Sequence, residues 1–132
     1  MKKIGIFANT AKPQVIPLAR RIVELAGKNV QVAVEKSLAQ ISELSDGCEV
    51  SDMHDAELVI SLGGDGTMLS AARAFCKSNA AVLGINVGRL GFLTEILPDE
   101  LDSAFAQISS GNFRVERRMM LEVHSEDFLR KP

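Results

Sequence analysis

Leu62-Gly63-Gly64-Asp65-Gly66-Thr67 sets one carboxylate among three glycines. An apolar run, Leu58-Val59-Ile60-Ser61-Leu62, leads into it, and an amphipathic segment begins at Thr67. That succession predicts a strand, a tight turn and a helix. Such a turn leaves backbone N–H groups open beside a helix N-terminus, where anions are favoured. A phosphate site would ordinarily avoid an extra negative charge, so Asp65 reads as a residue kept for chemistry on a phosphate-bearing substrate. A hydroxyl attacking phosphorus must lose its proton, and a carboxylate within hydrogen-bond reach can orient it and take that proton. On that reading Asp65 is presented unshielded by neighbouring groups. The architectural alternative is a plain chain reversal, with Asp65 as turn former and Thr67 as helix cap.

A second glycine-rich loop weakens that alternative. Gly84-Ile85-Asn86-Val87-Gly88-Arg89-Leu90-Gly91-Phe92-Leu93 begins at the end of another apolar strand. In open α/β sheets, ligands sit in the crevice outside the carboxyl ends of strands, and both loops face that edge. Other phosphate signatures are absent. There is no P-loop run ending in Gly-Lys-Ser/Thr, and no GxGxxG follows the first strand. No GxSxG elbow occurs, and His54 and His124 lack metal-type spacing, so both read as solvated or structural. Cys48 and Cys76 stand apart and read as buried or half-buried thiols.

The elements that must hold these loops follow from periodicity. Lys3 to Ala8 is a short buried strand, and residues 9–13 form a polar turn. Apolar positions Val15, Leu18, Ala19, Ile22, Leu25 and Ala26 predict a helix that Gly27 stops. Val30 to Val34 is β-branched and strand-like. Ser37 to Ser45 reads as a short helix, and Asp46 to Asp55 as a flexible acidic loop. The strand at Leu58–Leu62 is followed by a helix over 67–76 and a strand over 81–85. Pro98-Asp99-Glu100 opens a helix with Leu101, Ala104, Phe105 and Ile108 inward, closed by Gly111. The alternation predicts an α/β fold: a Rossmann-like, open, mostly parallel sheet with helices on both faces. Residues 113–123 change character and read as one long strand, the first of a further β-rich domain. The expected division is an α/β nucleotide-binding domain over 1–112 and the start of a second domain over 113–132.

At 132 residues the chain suits one domain with a real core. A net charge of −2 gives no basic footprint, and only 5% aromatics, without Trp or Tyr, argues against a nucleic-acid platform. No run is long enough for a membrane span and no signal peptide is visible. A cytoplasmic location and no membrane partner are the expectations.

The GGDGT turn, the helix after it and the GIN-x-G-x-LGFL loop resemble the NAD kinases. These sit in a superfamily with diacylglycerol kinases, sphingosine kinases and phosphofructokinases. The GGDG element is shared across it, whereas the LGFL loop is particular to NAD kinases. Arg117-Arg118-Met119-Met120-Leu121 also resembles the strand by which that family enters its second domain. The resemblance implies transfer of the ATP γ-phosphoryl group to the 2′-hydroxyl of the adenosine ribose of NAD, giving NADP. It implies Asp65 as proton acceptor. It places Gly63, Gly64, Gly66, Thr67, Leu69 and Asn86 against substrate or nucleotide, and Phe92 near the adenine. For Phe92 the alternative is core packing, for Asn86 a turn-stabilising amide, and for Arg73 and Arg89 solvated surface. NAD and ATP are the implied partners, a divalent cation, magnesium on ATP, the implied cofactor, and a homo-oligomer the implied state of the full-length protein. No protein ligand set for a metal is expected. The family's later Asn-Asp or Asn-Glu pair is missing, so the chain alone is expected to have little or no activity. Two rival readings are a lipid or sugar kinase of the same superfamily and a non-catalytic assembly module derived from a kinase.

Overall fold

The computed structural model describes residues 1–124. Four parallel strands form one sheet: β1 (Lys3–Ala8), β2 (Gln31–Val34), β3 (Leu58–Gly63) and β4 (Ala81–Asn86), in the order β2-β1-β3-β4. The helices are α1 (Val15–Ala26), α2 (Lys36–Ser42), α3 (Asp65–Phe75) and α4 (Leu101–Ser109). Short 3-10 turns occupy Val50–Met53 and Pro98–Glu100.

Register explains why the strands are apolar on both sides. Ile6 pairs with Val34 and with Ile60, which pairs in turn with Leu83. With Ile4, Ala8, Leu58, Leu62 and Ile85, these residues meet α1, α2 and α4 in the larger core. The alternate positions Phe7, Ala33, Val59 and Val82 meet Met53, Ala71 and Phe75 in a second core under α3. Because side chains alternate along a strand, one residue set per face is what period two demands. The chain steps from β1 outward to β2, then returns past β1 to β3 and steps the other way to β4. Crossovers of one hand running in opposite directions place their helices on opposite faces, as α1 and α3 are. The expected sheet with helices on both faces is therefore present.

Three local expectations differ from the structure. Helix α3 begins at Asp65, not Thr67, with Gly64 as its cap residue. An acid in the first helical turn suits the macrodipole, so the earlier start is favourable. The segment 46–55 is not an open loop: Cys48 bridges in parallel to Glu35, and Met53 is fully buried. The strand expected over 113–123 does not form. Residues 112–124 carry no helix or strand and are exposed. A strand pattern needs a neighbouring strand to hydrogen-bond, and among the described residues none pairs with this segment. Residues 125–132, part of the second-domain expectation, lie outside the described residues. Among the described residues, no helix is long and apolar enough to cross a membrane.

Candidate active site at the carboxyl edge of the sheet

The strand order reverses between β1 and β3, so their outgoing turns diverge and leave a crevice. A cavity of about 490 Å³ lies there. Its β1 side is formed by Phe7, Ala8, Asn9 and Lys12. Its other side is formed by Gly64, Gly66, Thr67 and Ser70 of the β3–α3 turn. The turn after β1 is fixed locally: the Asn9 carboxamide oxygen accepts from Ala11 N at 3.1 Å. It is fixed to the sheet by Asn9 N donating to Leu62 O at 2.9 Å.

The glycines of the motif divide by environment. A side chain on Gly63 would collide with the Thr67 hydroxyl, so Gly63 lets α3 pack tightly on β3. A Cβ on Gly64 or Gly66 would meet nothing within 4 Å. Neither is held to glycine by packing or by a positive φ. Both line the cavity, where bare backbone admits close approach of a ligand.

Asp65 is half-buried, and its carboxylate is not free. Oδ2 accepts from Phe92 N at 2.9 Å and Oδ1 from Leu93 N at 3.0 Å. The expectation of an unshielded carboxylate is corrected accordingly. Its pairing with the LGFL loop depends on Gly91, where a Cβ would fall on the carboxyl group. The Phe92 and Leu93 amides hold the Asp65 carboxyl below the usual carboxylate range. Two ionised oxygens offer about four acceptor sites. The two amides therefore orient the group and leave room for a further donor.

The loop that delivers those amides is anchored at both ends. Val87 N donates to Gly63 O at 2.7 Å, and Asn86 N donates to Ile96 O at 2.8 Å. Asn86 is buried, and its Nδ2 donates to Arg89 O at 2.8 Å, so it does stabilise the turn. Its Oδ1 has no partner among the described residues. Phe92 is fully exposed, which overturns the core-packing alternative for it. Leu69 is 51% exposed, and Arg73 and Arg89 are exposed. None of Asp65, Leu69, Asn86 and Phe92 lines the cavity itself.

His54 is structural: Nε2 lies 3.1 Å from Ala74 O and the ring packs edge-on against Phe75. Cys48 is half-buried as expected, but Cys76 is exposed. Sequence reasoning missed Asn9 and Lys12. No spacing marks them, because their place beside the glycine turn follows only from the order β2-β1-β3-β4.

Comparison with known proteins agrees with this geometry. Residues 4–113 match the family model for the ATP-NAD kinase N-terminal domain. The chain is 41% identical over 130 residues to an NAD kinase of Syntrophotalea carbinolica, covering 92% of this chain and 44% of that protein. It is 39% identical over 126 residues to an NAD kinase of Pseudomonas putida, covering 92% of this chain and 42% of that protein. A crystal structure of yeast NADH kinase complexed with NADH shares the fold, with a TM-score of 0.73 at 20% identity. That likeness covers 85% of this chain and 39% of the yeast protein. The chain thus spans less than half the length of the relatives it matches. By its sheet, its GGDGT turn and the family match over 4–113, the chain belongs to the NAD kinases, as their ATP-NAD kinase N-terminal domain.

Proposed function

We propose that the protein to which this domain belongs transfers the γ-phosphoryl group of ATP to the 2′-hydroxyl of the adenosine ribose of NAD, giving NADP. One observation carries this reading: Asp65 is oriented by the LGFL amides while the glycines on either side of it open onto the cavity. Phosphoryl transfer depends mostly on positioning and electrostatics, since its transition state is loose. A carboxylate with a lowered pKa is a weak base, but it serves when the proton leaves late and orientation matters most. In this reading Asp65 accepts the proton of the ribose hydroxyl at the oxygen sites the two amides leave open. Gly64, Gly66 and Thr67 approach phosphate or ribose oxygens. Leu69 and Phe92, both exposed, supply apolar contact to the nucleotide, with Phe92 toward adenine. Asn86 acts through the turn, its Nδ2 donating to Arg89 O, while its buried Oδ1 does not line the cavity.

Among the described residues, no three His, Cys, Asp or Glu side chains cluster as a metal site would require. A magnesium ion fits this domain as cargo of the triphosphate, with Asp65 the carboxylate nearest to the glycine turn. Hard cations of this kind commonly bind through substrate phosphates plus one or two carboxylates. Bound there, the ion would neutralise charge on the transferring group.

The test is NADP formation from NAD and magnesium–ATP by the full-length protein, with diacylglycerol and fructose 6-phosphate offered in parallel. Preference for either alternative acceptor overturns the assignment. The 132-residue chain assayed alone is expected to turn over little, because half a cleft positions poorly.

A further inference from the structure

Among the described residues, Lys12 is the sole ionisable side chain lining the cavity between the β1 and β3 turns. Its ammonium crosses from the β1–α1 turn to donate to Val87 O at the end of β4. There it lies 2.9 Å from where a Cβ of Gly88 would sit, and Gly88 has φ 131°, so the glycine makes room for the cation. An ammonium has three N–H donors, and the Val87 carbonyl takes one. Across the cavity stand Gly64 and Gly66, which carry no side chain, with Thr67 and with Ser70, whose hydroxyl donates to Gly66 O at 2.9 Å. No carboxylate of the described residues lines the space.

This combination is complementary to linked phosphates: a lysine on one wall, glycine backbone on the other, and no acid among the lining residues. A strongly hydrated point charge on a flexible stem suits a phosphate oxygen. The Asp65 carboxylate is held by the Phe92 and Leu93 amides and does not itself line the cavity. We infer that Lys12 is the phosphate-neutralising residue for the triphosphate of the phosphoryl donor. Its ammonium gives up the Val87 carbonyl, or shares it, to reach the donor's phosphate oxygens. The inference deepens the proposed phosphoryl transfer and rests on it for the identity of the donor. The pyrophosphate of NAD presents similar chemistry with fewer charges, and the terminal triphosphate makes the fuller use of an acid-free cavity.

The test is calorimetric titration of the whole 132-residue chain with tripolyphosphate, magnesium–ATP and NAD separately. Lys12→Met is expected to weaken tripolyphosphate and ATP about ten- to hundredfold, the usual worth of a hydrogen bond to a charged group. NAD binding should be unchanged. Lys12→Arg should keep most of the affinity, and Lys28→Met, on an exposed residue between α1 and β2, should keep all of it. Circular dichroism and the melting temperature report folding, and Lys12→Gln replaces Lys12→Met if the latter melts early. Equal ATP affinity in wild type and variant, no tripolyphosphate binding by the wild type, or a loss confined to NAD would each overturn the inference. NADP formation by the full-length protein is read separately. A protein that makes NADP but ignores the Lys12 change sinks only the lysine's role. A Lys12-dependent triphosphate site without NADP formation sinks only the proposed reaction.

Discussion

The carboxylate of Asp65, on the first turn of α3, accepts a hydrogen bond from the backbone N–H of Phe92 at 2.9 Å. The adjoining amide of Leu93 takes the other oxygen at 3.0 Å. The two motifs that stand out in the sequence are therefore one unit. The acid fixes the LGFL loop, and the loop fixes the acid.

That pairing should depend on pH in one direction. The Asp65 carboxyl titrates below its ordinary 3.8, because the Phe92 amide, then the Leu93 amide, favour its charged form. A lowered folded-state pKa adds stability above the ordinary value and loses it as pH falls through the lowered one. The Phe92 and Leu93 amide resonances should hold steady above about pH 4 and shift together below it. A common midpoint at or above 3.8 would show that the pair does not favour the ionised acid.

Asp65→Asn keeps one acceptor oxygen and presents an NH₂ group to the other amide. In the full-length protein the variant is expected to lower the phosphoryl-transfer rate by about 10²- to 10⁴-fold, the usual worth of a positioned base. Steady-state NADP formation measures this, and an unchanged rate would make Asp65 scaffolding.

The motif glycines should separate stability from binding. Gly63→Ala forces a methyl onto Thr67, and overpacking of this kind costs about 1–3 kcal/mol. Gly66→Ala lies within α3 with open space around it, so it should be neutral or stabilising by up to about 1 kcal/mol. Both Gly64→Ala and Gly66→Ala should nevertheless weaken ATP binding, because the added methyl groups enter the cavity. Urea denaturation and calorimetry on the same samples check the two halves.

Phe92→Ala removes a fully exposed ring, so stability should stay within about 0.5 kcal/mol. NAD affinity of the full-length protein should fall by about 1–3 kcal/mol if the ring stacks on adenine. Unchanged affinity would leave Phe92 without a ligand role. Ile60→Ala provides the contrast: the residue is wholly buried at the centre of the sheet, and unfolding should become easier by about 2–5 kcal/mol.

The sequence carries the strands, the helices and both glycine loops plainly, because each depends on residues close together in the chain. What it hides depends on distance. Lys12 faces the glycine turn only because β1 and β3 are neighbours. The structured character of 46–55 depends on Cys48 meeting Glu35. The amides on Asp65 come from a loop that folds back because Ile96 bridges to Ile85. The pattern over 113–123 shows the opposite limit. Alternating residues suit a strand, but a strand needs a neighbour, and no strand among the described residues pairs with these.

The pairing of β1 with β3, Ile4 opposite Leu58 and Ala8 opposite Leu62, also bears on how the molecule assembles. The sheet's central seam joins the start of the chain to its middle, so a long stretch must be drawn into a closed loop before any reward arrives. Refolding from denaturant should therefore be slow beside that of helical bundles of similar size. During that delay Val59, Ile60 and Leu62 would stand open to solvent, and this interval is when the polypeptide is most prone to clump.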